Sequence, residues 1–74
     1  MEMTAVALAV LGASCAVGLS SLGAGFGIAY SGAAMSGAVA ERPEAFTKSL
    51  IAVVLAEALA IYGLLISFMI LMRI

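Results

Sequence analysis

One carboxylate stands apart from every other ionisable group in this chain. Glu57 lies within VVLAEALAIYG, and the nearest charges along the sequence are Lys48 and Arg73. On a helix they would be about 14 and 24 Å away along the axis, so Glu57 falls inside any bilayer the segment spans. An acidic side chain at such depth costs about 2.5–3.5 kcal/mol on insertion scales. Out of water the anion loses its solvation, and the neutral acid is the form that lipid tolerates. A carboxyl that is neutral in lipid and ionised in wet or cationic surroundings is a reversible proton carrier. A structural alternative is a protonated Glu57 hydrogen-bonded to a neighbouring helix. That role calls for polar partners on the same face, yet the residues three and four away are Val53, Val54, Ala60 and Ile61. Tyr62, five residues on, is rotated away and suits a different helix.

The elements that hold this carboxylate follow from composition. Of 74 residues, 66% are hydrophobic and only seven are charged, and the mean hydropathy is +1.33. A soluble domain of this size cannot keep so much apolar surface from water, which places the chain in a membrane. The net charge of −1 offers nothing to nucleic acid. There is no His, and Cys15 is the sole cysteine, so the chain has no internal disulfide and no evident zinc or haem ligands. Cys15 itself reads as a small packing residue among Ala, Ser and Gly. The apolar stretch from Thr4 to Leu22 lacks a basic start and continues far past a signal-peptide core, so it reads as mature protein.

The charges fall at Glu2, in ERPEAFTK (Glu41 to Lys48), at Glu57 and at Arg73. Ser49 to Met72 would be about 36 Å of helix, a good transmembrane length. Met3 to Ala40 would be about 57 Å, too long for one hydrocarbon crossing and short for two. A break near SSLGAGFG (Ser20 to Gly27) would make three spans or a re-entrant loop. The glycine spacing favours one long helix instead. Gly23, Gly27 and Ser31 recur every four residues, as do Gly25, Ala29, Ala33 and Gly37, giving two adjacent small-residue ridges for close helix packing. GAGFGIAY has neither a P-loop ending nor a dinucleotide-type glycine spacing.

Between the two spans, Pro43 biases Arg42 away from the α region and ends helix 1. Pro43 then suits the start of helix 2, whose dipole favours Glu44. The expected architecture is an all-α two-helix transmembrane hairpin in a single unit: helix 1 over about 4–40, a polar loop over about 41–45 and helix 2 over about 46–73. Two basic residues, Arg42 and Lys48, against Arg73 at the far end put the loop in the cytoplasm by the positive-inside rule. A single hairpin encloses no channel and one carboxylate makes no relay, so transport requires copies to assemble, with the ridges of helix 1 as a close interface.

GAGFG, the loop RPE (Arg42 to Glu44), Lys48-Ser49 and AEALAIYGL (Ala56 to Leu64) together resemble the proteolipid of a rotary ATPase membrane ring. Each motif is weak alone; their order and spacing carry the resemblance, over about residues 21–72. The RPE, KS and AIYGL segments resemble the V/A-type ring proteolipid (the K or c-type subunit) in its single-hairpin bacterial or archaeal form. The resemblance implies a homo-oligomeric ring in a cell membrane, with helix 1 inside and helix 2 outside. It implies that Glu57 carries the ion past a stator subunit bearing an essential arginine. Tyr62 would hydrogen-bond that carboxyl across neighbouring hairpins. The Arg42-Pro43-Glu44 loop would meet central-stalk subunits, and lipids would surround the ring. The chain itself would bind no cofactor and catalyse nothing, while a separate soluble head makes or hydrolyses ATP.

The transported ion follows from departures. Sodium rings of this superfamily place oxygens beside the carboxylate. Here one such position, after the Gly-rich run, is Ile28, and the two residues that follow the acid are Ala58 and Leu59. A hard cation needs several oxygen ligands, whereas a protonated carboxyl needs one or two hydrogen-bond partners. H+ is the expected ion, with Na+ the alternative should backbone carbonyls, Ser20, Ser21, Ser31 or Tyr62 supply oxygens. Two other classes compete: a small drug/proton antiporter, which needs more spans and an aromatic pocket, and a holin-like pore, which leaves Glu57 unexplained.

Overall fold

The computed structural model describes residues 2–74. Helix α1 runs from Met3 to Glu41, and helix α2 from Phe46 to Leu71. Glu2 caps the first turn of α1, its carboxylate accepting the Ala5 N–H at 2.9 Å. From there α1 is unbroken through Ser20 to Gly27, and none of its glycines takes a positive φ. The run of small residues is therefore a packing surface on a continuous helix, with no re-entrant turn in it.

The reversal is short because each of its residues has a defined backbone role. Arg42 is extended, at φ −138° and ψ 97°, the conformation that a following proline imposes. Its N–H still donates to the Ala38 carbonyl at 2.8 Å and closes α1. Pro43 to Ala45 form one 3₁₀ turn with the proline at its first position, where a missing N–H leaves no bond unmade. Ala45 N–H donates back to the Arg42 carbonyl at 2.9 Å, and α2 begins at the next residue.

The backbone trace is 58 Å long. That length is the length of α1, since 39 residues at 1.5 Å rise give about 58 Å. Val10 and Leu71 line one recess, so α2 ends level with Val10 and the first two turns of α1 continue beyond it. Both helices are long and apolar enough to cross a membrane, and α1 exceeds a hydrocarbon core of about 30 Å nearly twofold.

Packing between the helices uses small side chains. On α2 the main sheltered line is Ser49, Val53, Ala56, Ala60, Gly63, Ser67 and Ile70, alternating steps of four and three. On α1 the sheltered positions include Ala13, Ala16, Ser20, Ala24, Gly27 and Ser31. Among the described residues only Ala13, Ala24 and Ser67 are buried. Large apolar side chains such as Leu22, Phe26, Leu55, Leu59 and Ile61 all point outward. Such a surface needs lipid or other protein against it, because water would leave most of the apolar area unburied.

Candidate functional site: a flank carboxylate

The position of Glu57 follows from its predecessor. Ala56 faces α1 so closely that a Cβ added at Gly27 would stand 3.2 Å from the Ala56 Cβ. One residue further along a helix is a turn of about 100°. That rotation takes Glu57 out of the seam between the helices and onto the flank of the hairpin, where it is exposed. Ala58, the next residue, is half-buried, and Leu59 is again exposed. Glu57 is level with the Gly-rich part of α1, in the middle portion of the hairpin.

Tyr62 is also exposed, with 64% of its surface free. Five residues separate it from Glu57, which sets the two side chains about 140° apart around α2. They occupy different flanks, and among the described residues neither makes a side-chain hydrogen bond. One copy of the chain therefore does not bring them together.

The packing candidates of α1 divide into two groups. Gly27 and Ser31 are half-buried against α2, so their ridge serves the hairpin itself. Gly23, Gly25 and Ala29 are exposed, and Gly25 and Ala29 line a shallow apolar recess with Ser21, Leu22 and Phe26. Ile28 is half-buried. Two of the serine hydroxyls named as oxygen ligands for a cation donate their hydrogens within their own helix, which leaves the oxygen lone pairs free. Ser31 donates to the Gly27 carbonyl at 2.6 Å, and Ser20 to the Val17 carbonyl at 3.2 Å. Among the described residues no group of three or more acidic, His or Cys side chains gathers to hold a metal ion. Arg42, Pro43 and Glu44 are exposed at the tip of the hairpin, about 20 Å along α2 from Glu57.

Two residues outside the sequence expectation hold the seam beyond Glu57. Ser67, 5% exposed, donates across the seam to the Ala13 carbonyl at 2.6 Å and faces the Gly63 carbonyl of its own helix at 3.0 Å. At Gly63 any Cβ would overlap the Ser20 hydroxyl and stand 2.7 Å from the Ala16 carbonyl oxygen. The signal available in the sequence was their spacing: Ala56, Gly63 and Ser67 share one face of α2 at steps of seven and four.

The fold and site together define a two-span membrane hairpin with a single carboxylate on the flank of its second helix. Residues 11–70 match the family model for the C-type subunit of ATP synthase, and the chain belongs to that family. It is 47% identical over 62 residues to the 16 kDa proteolipid of the V-type proton ATPase from sheep and from human. Those matches cover 84% of this chain and 40% of the relative. It is 46% identical over 57 residues to the c''-type subunit of the V-type proton ATPase of Saccharomyces cerevisiae, covering 77% of this chain and 27% of the yeast protein. The matched segment thus spans well under half the length of these relatives.

Proposed function

We propose that this chain is an ion-translocating subunit of the rotor ring of a V/A-type rotary ATPase or ATP synthase, and that Glu57 carries H+. The observation that supports it best is the placement of Glu57: a lone carboxyl at mid-depth, on an exposed flank, without a hydrogen-bond partner among the described residues of its own chain. A carboxyl buried in the seam could serve as glue, whereas one on the flank meets whatever passes beside the hairpin. The names of the three relatives, all from proton ATPases, support the same ion.

In this reading copies of the hairpin close into a ring. Glu57 of one copy and Tyr62 of the next, on different flanks of α2, then meet across each junction. Gly23, Gly25 and Ala29 remain free for contacts between copies, while Gly27 and Ser31 serve within each copy. A stator membrane subunit presents an arginine, whose charge favours the ionised carboxyl and releases its proton. Back against lipid, the carboxyl regains a proton before it can travel on. The Arg42-Pro43-Glu44 tip contacts central-stalk subunits, so rotation couples ion flow to ATP synthesis or hydrolysis in a soluble head. The chain itself is non-catalytic. The RPE and AIYGL segments favour the cell membrane of a bacterium or archaeon, with the tip in the cytoplasm.

H+ is favoured over Na+ by the surroundings of the carboxylate. Ile28, Ala58 and Leu59 provide no side-chain oxygen beside it. A hydrophobic carbodiimide, which attacks protonated carboxyls in apolar sites, tests the reading. Modification at Glu57 should decline as the medium is made alkaline and be indifferent to sodium. Protection by millimolar Na+ at constant pH would assign the site to Na+, and failure to label Glu57 at any pH would overturn the carrier role.

A further inference from the structure

The flank position of Glu57 has to be held, because rotation of α2 about its own axis would carry the carboxyl toward the seam or away from it. Rotation is set where the two backbones approach most closely. That place is not beside Glu57. It lies six and ten residues further along α2, at Gly63 and Ser67.

At Gly63 the bare Cα admits the Ser20 hydroxyl and the Ala16 carbonyl, contacts that any side chain would push away. Ser67 adds direction. Its single hydroxyl hydrogen faces two carbonyls, Ala13 across the seam at 2.6 Å and Gly63 on its own helix at 3.0 Å. It is the one side-chain hydrogen bond between the helices among the described residues. In lipid no water can replace such a bond, and its geometry tolerates little rotation. Ala56 lies seven residues before Gly63 on the same face and meets Gly27. The orientation fixed at Gly63 and Ser67 is carried through two turns of hydrogen-bonded helix to Ala56, and so to Glu57 beside it. Toward the hairpin tip the sheltered line of α2 continues only through Val53 and Ser49, both half-buried.

We propose that Ser67 and Gly63 are positioning residues for Glu57: together they set the rotation of α2 that presents the carboxyl on the flank. The functional half of this statement rests on Glu57 being the ion carrier. The geometric half does not.

The experiment therefore has two readouts on the full chain in its native membrane. The first is disulfide closure of a Gly27→Cys/Ala56→Cys pair, in a Cys15→Ala background, under a mild oxidant. A Cβ added at Gly27 would stand 3.2 Å from the Ala56 Cβ, so a shift of a few tenths of an ångström brings the pair into the range of about 3.5–4.5 Å that a disulfide spans. Closure is read as the loss of two hydrogens from the intact chain, which reports register within one copy. The second readout, with native residues at 27 and 56, is the rate of carbodiimide modification at Glu57, normalised per inserted chain. Ser67→Ala should slow disulfide closure several-fold and change Glu57 modification several-fold, without loss of inserted protein. Gly63→Ala should have the larger effect on both, and adding Ser20→Gly should restore part of each. Wild-type rates in both readouts for Ser67→Ala and Gly63→Ala would overturn the proposal, as would altered closure with unaltered Glu57 reactivity. If Glu57 is unreactive even in the unsubstituted chain while closure responds as expected, the carrier reading falls and the rotational lock stands.

Discussion

Two glycines of this hairpin should respond to the same substitution with opposite sign. Gly63→Ala places a methyl group on the Ser20 side chain, 2.6 Å from its Cβ, and 2.7 Å from the Ala16 carbonyl oxygen. The hydroxyl can rotate aside, but the carbonyl is part of the α1 backbone and moves only with the helix. Ordinary contact begins near 3.4 Å, so α1 must retreat by about 0.7 Å. The Ser67 bond to Ala13, now 2.6 Å, would then stretch to about 3.3 Å, past the useful range for an O–H donor. Overpacking of this kind costs about 1–3 kcal/mol, and an interhelical hydrogen bond in a membrane contributes roughly 0.6 kcal/mol. Alanine in a helix interior gains about 0.5–1 kcal/mol over glycine. The balance is a loss of about 2 kcal/mol. Gly27→Ala meets only the Ala56 Cβ at 3.2 Å, which yields with a shift of a few tenths of an ångström. There the helical gain prevails, and the change should be neutral or slightly stabilising. SDS titration in mixed micelles, with energy transfer between dyes at Cys15 and Met72→Cys, follows separation of the open end. Ser20→Gly should recover part of the Gly63→Ala loss. Equal stability of the two single variants, or a greater loss at Gly27, would refute the reasoning.

Three further variants have expected outcomes. Glu57→Gln should leave hairpin stability within about 0.5 kcal/mol of the parent, because the side chain is exposed and makes no hydrogen bond among the described residues. The same variant should abolish H+ transport by the assembled complex, as an amide has no acidic proton to release and regain; vesicle acidification measures this. Tyr62→Phe should likewise leave the isolated hairpin unchanged but reduce transport in the assembly, since the hydroxyl has no partner among the described residues of its own copy. Pro43→Ala should destabilise the hairpin by about 0.4–1 kcal/mol through added freedom in the unfolded chain, again read by SDS titration.

The course of the chain was legible from local chemistry. Arg42-Pro43 marks a backbone reversal because the proline ring excludes the α conformation from the residue before it, and the extended Arg42 records that. The unbroken helix through SSLGAGFG was legible from the four-residue spacing of its small residues. Which of those residues serve the hairpin was not. Gly23 and Gly27 belong to one ridge in sequence, yet only Gly27 is sheltered. A four-residue step advances about 40° around a helix, so a fixed spacing drifts off a straight contact line within two turns. The importance of Ser67 was hidden for a related reason: an isolated serine in ISF carries no mark of its partner, which is 54 residues away.

The sequence alone determined that this protein lives in a membrane, turns once at Arg42-Pro43 and carries one carboxylate far from other charge. Those properties depend on composition and on neighbours along the chain, and each has a local physical cause. Tertiary structure decided which way the carboxylate faces. Rotation of a helix about its axis is set by its closest contact with another helix, and here that contact is made by Gly63 and Ser67 with Ala13, Ala16 and Ser20. An apolar helix in lipid has no preferred side until a second backbone comes near enough to exclude a methyl group.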